Sequence, residues 1–170
     1  MTTTRLFTWI SFLLGVTAIA IECPDSWITF HDHCYLFSVD KLNWFHATKS
    51  CKDKEALLVA IESAAEDTFL KQSIVHFHLH DNPQFVGYWT SANDLEVEGR
   101  WVWGYPSDNQ VTYADWHAGE PNNVWFDKRA EDCVVLWGHS TYNYTWNDQP
   151  CDIAEHYICE IGEPHAEVVG

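Results

Sequence analysis

Basic side chains are scarce in this sequence of 170 residues. Nine lysines and arginines stand against 25 aspartates and glutamates, which gives a formal net charge of −16 at pH 7. This balance argues against a nucleic-acid partner, because no basic patch exists to displace counterions from a phosphate backbone. The acidity is typical of the surface of a soluble secreted protein, and it also suits affinity for cations or for mineral.

Motifs for catalysis are missing as well. There is no H-E-x-x-H helix for a catalytic zinc ion, and no Ser, His and Asp set with a recognisable nucleophile elbow. Paired carboxylates do occur, and their spacing alone leaves glycosidase chemistry open. We interpret them as ligands and expect no enzymatic activity. No coiled-coil or collagen-like repeat is present, so the oligomeric state stays open and an oligomer is compatible with the sequence.

Long apolar runs are missing after residue 20. Arg5 precedes the apolar run Leu6–Ala20, which ends in the small-residue signal Ala18-Ile19-Ala20. We therefore expect residues 1–20 to be a secretory signal peptide. No later segment has the roughly 20 apolar residues that span a bilayer, so we expect a secreted, extracellular protein. It would contain one domain over residues 21–162 and a short tail over residues 163–170.

Six cysteines follow the predicted cleavage site. An even number in a secreted chain is typical of a disulfide framework. Six cysteines allow fifteen pairings, and their spacing alone does not choose among them. A structural zinc site is the alternative, but the chain has no C-x₂-C spacing.

Alternating and capping patterns predict an α+β domain. The aromatic and β-branched runs Trp27–Phe30 and Cys34–Phe37 predict a hairpin. Asn43 can cap a first helix, and Ser63 with Glu66 forms a capping box that predicts the start of a second helix. Further strands are predicted at Phe85–Thr90, Trp101–Trp103, Val134–Trp137, Tyr144–Trp146 and Tyr157–Glu160.

The segment His76–Asp81 carries a histidine at every second position as far as His80. On a strand these side chains would point to one face and could bind Zn²⁺ or Cu²⁺. A solvated helix end or loop is the other interpretation. The sequence leaves open whether the His76–His80 cluster binds a metal.

A long loop and the strands after it carry most of the oxygen ligands. The range Tyr105–Arg129 is rich in Gly, Pro, Asn and Asp, and a loop of this length is usually functional or disordered. A hard cation such as Ca²⁺ takes about 6–8 oxygen ligands. A bridge between Cys133 and Cys151 would hold the oxygen-rich motifs together. These motifs are Glu120-Pro121-Asn122-Asn123, Glu131-Asp132-Cys133 and Trp146-Asn147-Asp148-Gln149-Pro150-Cys151.

In this order the three motifs resemble the sugar-binding site of a C-type lectin domain of the mannose-binding type. The resemblance covers nearly everything after Cys23 and implies a C-type lectin fold, with two helices packed on small antiparallel sheets and a long calcium-binding loop. It also implies three disulfides, Cys23–Cys34, Cys51–Cys159 and Cys133–Cys151. The principal calcium and sugar site that it implies consists of Glu120, Asn122, Glu131, Asn147 and Asp148.

The order Glu-Pro-Asn carries information on specificity through the same resemblance. In the family it accompanies sugars such as mannose, N-acetylglucosamine, glucose and fucose, whereas Gln-Pro-Asp accompanies galactose. Two vicinal hydroxyls would each coordinate Ca²⁺, donate to a carboxylate and accept from an Asn amide, so that no polar atom is left unpaired. Val124 would pack against the sugar ring. Pro121 is expected to be cis, because the side chains on both sides of it must reach the same ion.

Other features of the same region leave alternatives open. Trp125 or Phe126, in an insertion relative to the shortest family members, would either stack on an extended glycan or fill the loop core. Asn143-Tyr144-Thr145 is an N-glycosylation acceptor, although a tight turn could leave it unmodified. The resemblance implies a second, auxiliary calcium ion, and a solvated acidic loop is the alternative at its residues Asp94, Glu98, Asn123 and Asp132.

Two biological roles fit such a domain. One is innate immune recognition of mannose-type glycans on microbial or host surfaces. The other is that of a perlucin-like secreted single-domain lectin, an acidic matrix protein that acts on calcium carbonate mineral. The two share one binding chemistry, and the sequence does not separate them.

Overall fold

The computed structural model describes residues 22–78, 86–138 and 143–162. The predicted signal peptide and the predicted tail lie outside these residues. Within the part described, no helix is both long and apolar enough to cross a membrane.

Two helices begin where their capping residues predict. Helix α1 spans Trp44–Lys52, and the Asn43 side chain accepts a hydrogen bond from a backbone N–H of the first turn at 2.9 Å. Helix α2 spans Ala64–Phe77, and the Ser63 side chain accepts from the Glu66 N–H at 3.2 Å. Each cap satisfies an N–H group that has no partner inside its helix.

Eight strands form one sheet in the order β1-β2-β8-β4-β6-β7, with β3 paired to β8 and β5 paired to β4. The strand pairs are antiparallel except for β4 and β8, which run parallel. This parallel pair joins the small antiparallel sheets that the resemblance implies. The strands are β1 (Ile28–Phe30), β2 (His33–Phe37), β3 (Leu57–Leu58), β4 (Gly87–Asn93), β5 (Val102–Trp103), β6 (Cys133–Trp137), β7 (Trp146–Gln149) and β8 (His156–Ile161).

The strand expected at Tyr144–Trp146 is the main difference from the predicted elements. Asn143 and Tyr144 have φ angles of 47° and 60°, so they form a turn instead of entering the strand. Strand β7 begins at Trp146 and contains the Trp-Asn-Asp motif itself. Among the other expected strand residues, Phe85 lies outside the described residues.

All six cysteines are paired, and the three disulfides are those that the resemblance implies. The Cys51–Cys159 bridge connects α1 to β8 across a sequence separation of 108 residues. A loop of this length corresponds to about 4–5 kcal/mol of stabilisation in the chain-entropy description. The zinc alternative for the cysteines is thereby wrong.

The core consists of two clusters of buried residues, and each cluster contains two buried tryptophans. Trp44, Trp89 and Trp146 are among the largest fully buried side chains. Each indole N–H finds an acceptor: Trp44 donates to the Thr90 carbonyl at 2.8 Å, and Trp89 donates to the Leu42 carbonyl at 3.0 Å. Trp146 donates to a buried carboxylate of α2 at 2.9 Å. All three buried indole N–H groups therefore have a hydrogen-bond acceptor.

The histidine segment belongs to a helix end, and the strand interpretation is wrong for its described part. Helix α2 continues through Phe77, where His76 is exposed. His78 is the C-cap, and its N–H donates to the Ile74 carbonyl at 3.1 Å. Alternate residues of a helix do not share a face, so His76 and His78 cannot act together. His80 lies outside the described residues.

Candidate functional site

The β6–β7 hairpin forms the base of the site. Asn147 and Asp148 lie on β7 and are buried, and Glu131, which lies two residues before the start of β6, is buried as well. The Cys133–Cys151 disulfide closes this end of the hairpin, with a Cα–Cα distance of 5.2 Å. The second and third oxygen-rich motifs are therefore held on adjacent strands.

Backbone hydrogen bonds hold the long loop beside β7. The Trp146 N–H donates to the Asp115 carbonyl at 2.8 Å, and the His117 N–H donates to the Trp146 carbonyl at 2.8 Å. The rings of Trp116 and Trp146 meet edge to face, with centroids 5.7 Å apart. These contacts bring the chain into the site three residues before Glu120.

The Asp148 carboxylate anchors the Glu-Pro-Asn motif. It accepts hydrogen bonds from the Asn122 N–H, with both oxygens at 3.1 Å, and from the Asn123 N–H at 2.7 Å. The peptide bond between Glu120 and Pro121 is cis, as expected from the sequence. The Asn122 amide donates to the Glu120 carboxylate, so these two side chains lie together at the surface.

Glu131 contacts the same loop as Asp148. Its carboxylate accepts a hydrogen bond from the Val124 N–H at 2.7 Å, and that N–H also lies 2.6 Å from the Asn122 side-chain oxygen. The Glu131 N–H donates to the Asn123 side-chain oxygen at 2.8 Å. Four of the five residues implied for the principal site thus share these contacts, and Asn147 adjoins them through its amide, which donates to the Asp148 carbonyl at 2.6 Å.

Negative charge accumulates at this site. Burial and the neighbouring Asp148 and Glu120 carboxylates together raise the pKa of Glu131 to about 7, against the lowering effect of the Val124 N–H. Burial and Asp148 also raise the pKa of Asp132. A cation bound among these groups would oppose both effects, because it would stabilise their ionised forms.

The residues implied for the auxiliary site are brought together on the other side of Asn123. The Asn123 amide donates to the Glu98 carboxylate at 2.6 Å, and the Asp94 N–H donates to the Asp132 carbonyl at 3.1 Å. One Asp94 oxygen accepts from the Gly99 N–H at 2.7 Å, while the other is buried without a partner. Burial raises the pKa of Asp94 to about 6, and the charges of Glu98 and Asp132 contribute.

The insertion after Val124 is fixed by contacts that the sequence did not predict. Arg129 binds the Asp127 carboxylate at 2.8 Å, and it contacts the Asp152 carboxylate beyond the disulfide. Val124 and Phe126 remain exposed, at 70% and 85%. Trp125 is half-buried, which favours the interpretation that it fills the loop core. Phe126 is then the ring of this insertion that is exposed to solvent.

A family model described as Lectin C-type domain matches residues 40–161. The chain belongs to the C-type lectin family. The family resemblance derived from the three motifs is therefore confirmed, as is the α+β C-type lectin fold. Members of this family bind carbohydrate and are not enzymes, so the paired carboxylates are not a catalytic acid and base.

Curated and solved relatives of this C-type lectin domain agree with the assignment. It is 36% identical over 146 residues to a perlucin-like protein of Mytilus galloprovincialis, covering 85% of this chain and 86% of the relative. It is 32% identical to the carbohydrate-recognition domain of the human scavenger receptor C-type lectin, with a TM-score of 0.70 and coverage of 83% and 99%. It is 31% identical to the cow CD23 domain solved in the presence of GlcNAc2Man3 oligosaccharide, with a TM-score of 0.66 and coverage of 82% and 95%.

C-type lectin domains generally bind Ca²⁺, and the residues present fit this ion. Among the described residues, no three His, Cys, Asp or Glu side chains are grouped closely enough to hold a metal on their own. The site is instead a mixture of carboxylate and amide oxygens, which is the donor set that Ca²⁺ prefers. The buried, unpartnered oxygen of Asp94 is a further donor of this type.

Proposed function

We propose that this domain is a secreted, calcium-dependent lectin that recognises mannose-type sugars: mannose, N-acetylglucosamine and fucose. The observation that best supports the proposal is the anchoring of the Glu-Pro-Asn motif on Asp148. This contact brings Glu120 and Asn122 next to Glu131 and beside strand β7, which carries Asn147. Five residues that lie in three separate motifs of the sequence thereby lie next to one another.

These residues can satisfy a vicinal diol completely. Bound Ca²⁺ would supply a charge that two neighbouring sugar hydroxyls could coordinate. Glu120 and Glu131 have carboxylates that accept the hydroxyl protons, and Asn122 and Asn147 have amides that donate to the hydroxyl oxygens. Asp148 would contribute charge while it holds the loop backbone. An auxiliary ion would be held by a second set of residues, which consists of Asp94, Glu98, Asn123 and Asp132.

Affinity for a single sugar is expected to be weak. Val124 and Asn122 are exposed beside the site, so the contact is shallow and involves few side chains. We expect a dissociation constant on the order of 1 mM, or about −4 kcal/mol. Clustered glycans on microbial or host surfaces would then be bound by avidity.

Chromatography of the secreted protein on mannose–agarose and galactose–agarose tests this proposal. We expect retention on mannose in Ca²⁺ and release by EDTA. The double substitution Glu120→Gln with Asn122→Asp creates the order that accompanies galactose, and we expect it to exchange mannose for galactose retention. Asp53→Asn, at an exposed ion pair at the end of α1, is the matched control and should not change retention. Retention of the native protein on neither resin, or retention insensitive to EDTA, would refute the proposal.

The acidity of the chain and its similarity to a perlucin-like protein support a second candidate role in a mineral matrix. Precipitation of calcium carbonate in the presence of the native protein and of an Asp148→Ala variant tests it. A mineral effect that both proteins share would use the acidic surface instead of the sugar site. No effect of the native protein would remove this candidate.

A further inference from the structure

Three rings meet at the end of the domain where α2 terminates. His78 is the C-cap of α2, Tyr88 is buried on β4, and His156 is the first residue of β8. The His78 Nε2 and the Tyr88 hydroxyl share a hydrogen bond of 2.9 Å. The ring centroids of His78 and His156 lie 5.9 Å apart, and His156 stacks on Tyr88 at 5.1 Å.

A backbone carbonyl fixes the orientation of His156. The Ser38 carbonyl lies 3.1 Å from Nδ1, and because a carbonyl can only accept, Nδ1 carries the proton. The neutral ring then has its lone pair on Nε2. A histidine that donates one ring N–H to a backbone carbonyl is oriented in the way that metal-binding histidines usually are.

The separation of the two histidine rings suits one shared ion. Zn–N bonds of about 2.0–2.1 Å place the centroids of two imidazoles on a tetrahedral ion about 5–6 Å apart. The observed 5.9 Å between His78 and His156 falls within this range. The Tyr88 hydroxyl, at hydrogen-bond distance from His78, is close enough to act as an oxygen donor beside them.

We propose that His78 and His156 form a binding site for a transition-metal ion such as Zn²⁺, with the Tyr88 hydroxyl and water completing its coordination. Imidazole nitrogen is a good ligand for Zn²⁺, Co²⁺ and Ni²⁺, whereas Ca²⁺ takes oxygen ligands. The pair also lies far from the carboxylate site. Tyr88 is near one end of β4 and Asp94 directly follows its other end, about 20 Å away at about 3.3 Å per strand residue.

Titration of the full secreted protein with Co²⁺, in excess Ca²⁺, tests this site. We expect one equivalent to bind with the visible absorption bands of nitrogen-coordinated Co²⁺, and Zn²⁺ to displace it. His78→Gln and His156→Gln should each weaken binding at least about tenfold. His76→Gln, at an exposed position on the same helix, is the matched control, and Asp148→Asn reports on the calcium site. Neither of these two substitutions should change Co²⁺ binding.

Full Co²⁺ binding by both His78→Gln and His156→Gln would overturn the proposal, as would competition by Ca²⁺ or loss of binding in His76→Gln. If either ligand substitution prevents folding, chemical modification of the native protein gives the answer. We expect Zn²⁺ to protect His78 and His156, but not His76, from diethylpyrocarbonate. Equal modification of the three rings with and without Zn²⁺ would refute the site.

Discussion

The buried ion pair between Lys71 and Asp67 gives the sharpest test of how α2 supports the site. The Asp67 side chain is 4% exposed and lies 2.5 Å from the Lys71 ammonium, which also contacts Asp115 in the long loop. The same Asp67 carboxylate accepts from the Trp146 indole N–H at 2.9 Å. Lys71→Met keeps the aliphatic stem but leaves the buried carboxylate with the indole and without its cation.

Removal of one partner from a buried pair costs about 3–5 kcal/mol, because the remaining charge is uncompensated. The Lys71 side chain is 15% exposed, so water compensates part of this loss and we expect about 3 kcal/mol. For a domain of 150–250 residues each kcal/mol lowers the melting temperature by about 2–4 °C, which gives about 6–12 °C. Calorimetric melting in EDTA with intact disulfides measures this shift without any contribution from Ca²⁺.

The matched control is the exposed pair between Lys49 and Asp53, which has the same i,i+4 spacing on α1. Its side chains are 69% and 60% exposed, and we expect Lys49→Met to cost at most about 0.5 kcal/mol. Adding Asp67→Asn to Lys71→Met removes the uncompensated charge and keeps an acceptor for the indole, so it should restore most of the stability. Equal shifts for Lys71→Met and Lys49→Met, or no restoration in the double variant, would refute the reasoning.

Three further predictions concern pH, calcium and glycosylation. Burial lowers the pKa of His33, but the hydrogen bond and charge of Glu160, 2.5 Å away, outweigh it and raise the pKa overall. His33 therefore stabilises the fold fully below about pH 6.5, and this contribution is lost as the pH rises through its folded pKa. In urea unfolding, the difference in unfolding free energy between the native protein and His33→Gln should narrow with rising pH, whereas the exposed His46→Gln should show no such difference. A difference that widens with rising pH would contradict this sign. Ca²⁺ at 100 times its dissociation constant should stabilise the native protein by about 2.7 kcal/mol, measured as a melting shift, and an equal shift in Asp148→Asn would count against the site. Asn143→Asp should remove a glycan-dependent gel shift and keep mannose retention, because Asn143 lies in the turn beyond the far end of the β6–β7 hairpin; loss of retention would place the glycan at the binding face.

Local patterns predicted the helices well because a cap is a local contact. Asn43 and Ser63 each bond to an N–H within three residues, so their sequence neighbours contain all the relevant chemistry. Strand β3 was missed since Leu57 and Leu58 alone cannot show periodicity. The start of β7 was misplaced because Tyr144 looks like a strand residue and is instead held in a left-handed turn.

The site was predicted by motif order, whereas its internal contacts were not. The sequence suggests that Asp148 and Asn122 serve one ion, but it does not suggest that the Asp148 carboxylate binds two backbone N–H groups of the long loop. The role predicted for Asn123, as a ligand of the auxiliary ion alone, was also incomplete. Asn123 contacts Glu98, Glu131 and Asp148 and so connects both sets of candidate ligands. Contacts between residues 25 positions apart depend on how the loop folds back, and no local pattern contains that information.

Strand β7 supports both the core and the site, because Trp146 and Asp148 lie two residues apart on it. Trp146 packs against Trp116 and donates to Asp67 of α2, while Asp148 holds the loop backbone at Asn122. The two halves of the long loop are therefore attached to one strand, and the position of the candidate sugar-binding residues depends on the packing of a buried tryptophan.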